Sequence, residues 1–192
     1  MNNRGIMVVF GAMISIGLIF SYALHGGLFP VVFVGVSPIT LKVLDEMHFA
    51  AMRYYGNMVK TYGSDPNELN DSETKQEVRR ASLSKLIDEV LIKNELKKRL
   101  GKNLNLVVRN KLGEISKNEE FRNATTLFYG LNLNELERVF LIPQAEYEIL
   151  EGRLIIEQKE IKDWLNNARH AANVTILSSE FKWNGASVEL RD

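Results

Sequence analysis

Apolar residues recur at steps of three and four along Leu44, Met47, Ala51, Tyr55, Met58 and Tyr62, the spacing of one face of an α-helix. Val43, Ala50 and Tyr54 widen that face on one side, and Met52 and Val59 on the other. The arc is broader than one helix contact needs. Just upstream, in "VVFVGVSPIT", the pattern changes. Val31, Val32, Phe33 and Val34 are β-branched or aromatic and read as a short strand. Gly35 and Pro38 break it, and Thr40 is a good N-cap for a helix running to Tyr62. A lone strand cannot satisfy its backbone hydrogen bonds, so this one needs a partner elsewhere in the chain.

The rest of the pattern is helical almost to the end. "GSDPNELNDS", Gly63 to Ser72, is a loop rich in breakers. A second helix is expected from Glu73 to Arg99, with Leu83, Leu86, Ile87, Val90 and Leu91 as its buried stripe and Gly101 as its stop. A third covers Leu104 to Lys117, and a fourth Glu119 to Tyr129, ending at Gly130. "LNLNELERVF" restarts a helix, capped by Asn132 with Glu135 or by Asn134 with Glu137. Pro143 removes a helical hydrogen bond, so a kink or break is expected there. Leu154, Ile161, Leu165, Ala168 and Ala172 are expected to share one face of a last helix. Only Val174 to Leu177, extended through Phe181 to Trp183, then offers β character comparable to the opening strand. The two ends of the domain are therefore expected to pair in one small sheet.

The N-terminus changes the picture. After Arg4 no charged residue appears until Lys42, and Ile6 to Leu24 is an apolar run. At 1.5 Å per residue it reaches about 28 Å, close to the hydrocarbon thickness of a bilayer. It is read as a membrane span or export signal. Arg4 sets the N-terminus on the cytoplasmic side and the rest of the chain outside. Ser21 and Ala23 suit a cleavage site, but the length favours a retained anchor. The expected division is residues 1–28, anchor or signal plus linker, and residues 29–192, a helical domain. The fold class expected is mostly α, with a transmembrane helix ahead of the helical domain and its small sheet. The 192 residues carry 24 Lys+Arg and 24 Asp+Glu, so the net charge is zero and no nucleic-acid footprint is expected. There is no cysteine, hence no disulfide, thiolate nucleophile or cysteine metal site.

The order of elements resembles a known family. A membrane or signal segment, a strand and "SPIT" lead into a helix, followed by "VRRASLSKLIDEVLIKNELKKRLG", Val78 to Gly101. This is similar to the corresponding helix of the SurA-type periplasmic chaperone N-terminal domain. "FYGLNLNELERVFLIPQ", Phe128 to Gln144, resembles the later part of that domain in membrane-anchored relatives. "IKDWLNNARHAANVTIL", with "FKW" beyond it, resembles its closing segment. Where the family usually has "VNGEPIT", this chain has "VGVSPIT". Such proteins often carry a parvulin-type prolyl isomerase domain before the closing helix. Here Pro143 is followed within about twenty residues by Trp164, and no catalytic domain fits between them. The resemblance therefore implies the chaperone role without the isomerase activity.

The chemistry sought elsewhere is absent. Arg169 and His170 match two letters of a parvulin strand, but too little chain follows for that fold. The remaining histidines, His25 and His48, make no His-x-x-x-His or Glu-x-x-His pair, so no metal and no cofactor is expected. The basic end of the second helix, "LKKRLGK", sits where the helix dipole favours positive charge. The asparagine triplets at Asn70, Asn123 and Asn173 are expected by chance in an Asn-rich chain.

What remains is surplus apolar surface. Phe49 falls on the otherwise polar side of the first helix, among Asp45, Arg53 and Lys60, with Met52 and Val59 beside it. Phe128, Tyr129, Phe140 and Tyr147 cluster later. Methionine and aromatic side chains suit adaptable binding of extended segments. These seven residues are the candidate peptide-binding set. The expected function is ATP-independent holding of unfolded or nascent exported polypeptides at the outer side of a cell membrane, with lipid contact through residues 6–24. A dedicated partner of one envelope assembly is the alternative, and an isomerase remnant the third reading.

Overall fold

The computed structural model describes residues 27–62, 71–115 and 128–191. The opening strand β1, Pro30–Val34, turns at Gly35–Val36 into β2, Ser37–Thr40. Gly35 has φ +59°, the positive φ that the first position of a tight hairpin turn calls for. A long helix α1, Leu41–Tyr62, follows directly, and the Thr40 hydroxyl accepts from the Val43 N–H at 3.5 Å. Helix α2, Ser72–Leu100, begins at Asp71, whose carboxylate accepts from the N–H groups of Glu73 and Thr74. A short 3₁₀ turn leads into α3, Leu104–Ile115.

After Gly130 the chain re-enters a helix through a reciprocal cap. Asn132 Oδ1 accepts from Glu135 N at 3.0 Å, and Glu135 Oε2 accepts from Asn132 N at 2.9 Å. The first turn, α4 (Leu133–Leu136), widens into a π-helical stretch, Glu137–Leu141, and continues as α5, Ile142–Ile156. The helix does not stop at Pro143; the irregularity expected there is the π-helical turn, which immediately precedes Pro143 in a chain that is helical through Leu141 and Ile142. The wide turn before it, in which Ile142 N donates to Glu137 O, re-phases the helix. Leu154 belongs to α5 and not, as expected, to the last helix. The chain stops after Ile156 in a Schellman turn, with Gln158 at φ +57°. There Lys159 N donates to Leu154 O and Gln158 N to Ile155 O. The last helix is α6, Ile161–Ala171.

The partner of the opening strand is the expected one. β3, Val174–Ile176, runs antiparallel to β1, with Val34 opposite Val174 and Val32 opposite Ile176. Two corrections enlarge the β structure. "SPIT" is a strand, giving the order β2-β1-β3, and Pro38 is tolerated because β2 lies at the sheet edge. Phe181–Trp183 does not extend β3. It forms β4, paired with β5, Val188–Leu190, in a separate hairpin.

The expected fold class is thereby corrected to a mostly helical domain with two small sheets. Among the described residues no helix is long and apolar enough to cross a membrane, and the span expected over Ile6–Leu24 lies outside them. So does most of the helix expected over Glu119–Tyr129. Helix α2 is the spine. Leu83, Ile87 and Leu96 are fully buried along it, against Leu44 of α1, Val32 of β1, Leu150 and Leu154 of α5, and Phe181 and Val188 of the hairpin. A half-buried ion pair fixes α6 to this spine: Arg169 donates to both oxygens of Asp88, at 2.7 and 2.6 Å.

Candidate functional site

The broad apolar arc of α1 divides in two. Leu44, Met47 and Ala50 enter the core. Toward the other end of the helix, Ala51, Tyr54 and Tyr55 face a groove of about 330 Å³, shared with Met47. Val78, Ala81, Ser82 and Lys85 of α2 form the opposite wall, and Tyr129 and Phe140 close the end. The π-helical turn carries Phe140, so the wide turn sets the direction of that ring. Gly130 ends the short helical piece that carries Tyr129.

The aromatic rings form a continuous chain. Tyr54 stacks on Tyr129 with centroids 5.0 Å apart and planes 12° off parallel. Tyr129 meets Phe140 at 4.2 Å and 45°. Tyr55 stands edge-on to Tyr54 at 5.8 Å. Each such pair contributes about 0.5–1.5 kcal/mol beyond simple burial, so the wall is preformed. Tyr55 nevertheless keeps 47% of its surface exposed. Burial raises the Tyr129 phenol further above its ordinary range, with Tyr54 and Tyr55 adding to the effect, so it stays neutral at physiological pH.

Charge lies at the margins. At one end Glu77 is held by the Arg80 guanidinium at 2.5 and 2.8 Å, and this hydrogen bonding lowers the carboxyl below its usual value. At the other end Lys85 Nζ lies 5.6 Å above the Phe140 ring and pairs with Glu89. A second hollow of about 270 Å³ lies beyond this point. Lys85 and Phe140 form its near wall, and Asp88, Glu89, Ile92, Pro143, Gln144, Tyr147 and Leu165 line the rest. A third, behind it, contains Glu146, which is 95% buried and whose nearest cation is Lys93 at 3.8 Å. Burial raises the Glu146 carboxyl, Lys93 opposes that effect and Glu89 reinforces it.

The seven candidate residues do not form one site. Tyr129 and Phe140 are in the groove wall, and Tyr147 is in the adjacent hollow. Phe128 is 37% exposed and outside the lining, and its carbonyl accepts from Asn57 Nδ2 at 2.7 Å. Phe49 is 53% exposed. At about 100° per residue it projects nearly opposite to Ala51 and Tyr54, while Met52 and Val59 lie about a quarter-turn from the groove. The residues that sequence reasoning passed over are Met47, Tyr54, Tyr55 and Lys85. The first three were taken into the core stripe, although the excess width of that arc was their signal.

No catalytic or metal constellation accompanies the groove among the described residues. No group of three or more His, Cys, Asp or Glu there could hold a metal ion. His48 lies apart, near Arg79, and burial followed by that positive charge lowers its pKa. No protein-family model, no curated protein and no solved structure matches this chain.

Proposed function

We propose that the domain is an ATP-independent chaperone that holds extended apolar segments of unfolded exported polypeptides in the Tyr54–Tyr129–Phe140 groove. The observation that carries this reading is a preformed, solvent-open aromatic groove with charge only at its margins. Its volume suits one or two large apolar side chains. Each leucine-sized contact contributes about 1.5–3 kcal/mol. Two of them total about 3–6 kcal/mol, so the dissociation constant of such a segment lies between several millimolar and tens of micromolar before the cost of ordering it weakens binding further. Contacts of that strength release their client without an energy source.

The test is aggregation of a chemically denatured test protein on dilution, followed by light scattering with the full chain added. Suppression is expected with the chain in excess over the client, at tens of micromolar and above. Ala51→Asp combined with Tyr55→Ser places a charge in the groove and removes an exposed ring, and should abolish suppression. Phe49→Ser with Met52→Ser, on the other flank of α1, should leave it intact. Undiminished suppression by the groove variant, with native helicity by circular dichroism, would refute the assignment. No suppression by the wild-type chain would give precedence to a dedicated assembly partner.

A further inference from the structure

The element that separates the groove from the adjacent hollow is not inert. Lys85 and Phe140 line both. The Lys85 ammonium sits over the ring and is held there by Glu89. The two ends of this ion pair are unequally fixed. The Lys85 side chain is 49% exposed, whereas that of Glu89 is only 17% exposed. Lys85 is therefore the movable part and Glu89 the anchor.

We propose that Glu89 and Lys85 form a proton-operated latch, closed over Phe140 when Glu89 is ionised and open when Glu89 takes up a proton. This rests on the groove being the binding surface. With Glu89 charged, the ion pair keeps the lysine stem along the ring and covers apolar surface. With Glu89 neutral the ion pair is lost, and only the cation–ring attraction and a neutral hydrogen bond oppose the rotamer freedom that a free lysine recovers. The ammonium swings into water and the groove and hollow join across a bare ring.

The surroundings raise the Glu89 carboxyl above its ordinary range. Burial raises its pKa, Lys85 and Lys93 oppose this, and Asp88 adds to it. The other charges near this part of α2 are already committed. Asp88 is held by Arg169 of α6. Arg138 of the π-helical turn is paired with Glu46 of α1 at 2.5 Å, and Gln144 of α5 donates to Glu148. Glu146 of α5 is a second buried carboxylate near this pair, and the Glu89 charge raises its pKa.

The experiment is a titration of the full chain with the uncharged dye Nile red between pH 7.5 and 5.0, reading the signal lost in Ala51→Asp as groove binding. The affinity of that component should rise at least twofold on acidification. Glu89→Gln should hold it at the acid level at every pH. A flat wild-type profile, or a pH dependence that survives in Glu89→Gln, overturns the latch while leaving the groove assignment standing. If Ala51→Asp binds dye like wild type at every pH, the groove assignment itself falls and the latch with it. A carbon-detected NMR titration of the Glu89 carboxyl in the wild-type chain is independent of any variant. A midpoint at or below the ordinary carboxyl range overturns the latch.

Discussion

Gly130→Ala tests how the groove is held open. Gly130 has φ +67°, in the left-handed region that disfavours any residue with a Cβ. An added Cβ would lie 2.2 Å from Cδ and Nε of Arg53 and 2.6 Å from its Cζ. Two costs follow, and they differ in kind. The backbone conformation costs about 1–2 kcal/mol and cannot be relieved locally. The clash falls on the far part of an exposed, flexible side chain, so moving it costs about 1 kcal/mol or less. Restricting the unfolded chain returns about 0.4–1 kcal/mol. The net loss is about 1–2 kcal/mol, a fall in Tm of roughly 3–8 °C for a chain of this size. The assay is thermal unfolding by far-ultraviolet circular dichroism of Gly130→Ala, Arg53→Ala and the double variant. The double variant should recover less than half of the loss. Near-ultraviolet ellipticity should also fall, because Tyr129 precedes this turn and stacks on Tyr54. A neutral Gly130→Ala, or complete recovery in the double variant, would refute the backbone explanation.

Three further predictions are open to simple measurement. Glu146→Gln should stabilise the protein at pH 7 by about 1 kcal/mol, because it removes a buried charge and leaves only the half-exposed Lys93 without its partner. The sign follows from the raised carboxyl. Native Glu146 favours folding fully below its ordinary pKa of 4.5 and loses that contribution as pH rises through its folded value. The gap between variant and wild type in urea unfolding should therefore be widest at neutral pH and close toward pH 4. Arg169→Ala should cost about 1–3 kcal/mol in urea unfolding, since it strands the Asp88 carboxylate, whose side chain is only 18% exposed. Gln158→Gly should raise Tm by about 2–4 °C by relieving a left-handed non-glycine residue at the end of α5.

The helices were legible in the sequence through their starts and faces. Thr40 reads as a cap and forms its hydrogen bond, and Asn132–Glu135 is the one of the two readable boxes that forms, whereas Asp71, the cap of α2, reads as part of the preceding loop. The pairing of β1 with β3 followed from elimination, since an unpaired strand is untenable. What failed depended on context the sequence does not carry. Pro38 reads as a breaker until β2 is known to lie at an edge. Pro143 reads as a kink or a break, and the helix meets it with a π-helical turn instead of a stop. The end of α5 was hidden because a glutamine, not a glycine, occupies the left-handed position. The groove was half legible. Of the aromatic residues expected around Gly130, Tyr129 and Phe140 line the groove, but Tyr54 and Tyr55 have the same spacing whether they face a core or a cleft. Phe49 attracted notice for being on the wrong side of a helix, which made it exposed without making it part of the groove.

The closing sheet has a consequence for how the chain is made. Val34 must find Val174, so the outer edge of β1 waits for about 140 residues to be synthesised, a span of roughly 10–30 s at ordinary rates of translation. During that time the β1–β2 hairpin exists with one row of backbone donors and acceptors open, a template for pairing with another nascent chain. Loss of the final twenty residues would make that exposure permanent, so premature termination near the C-terminus should give aggregation-prone products rather than a trimmed, working domain.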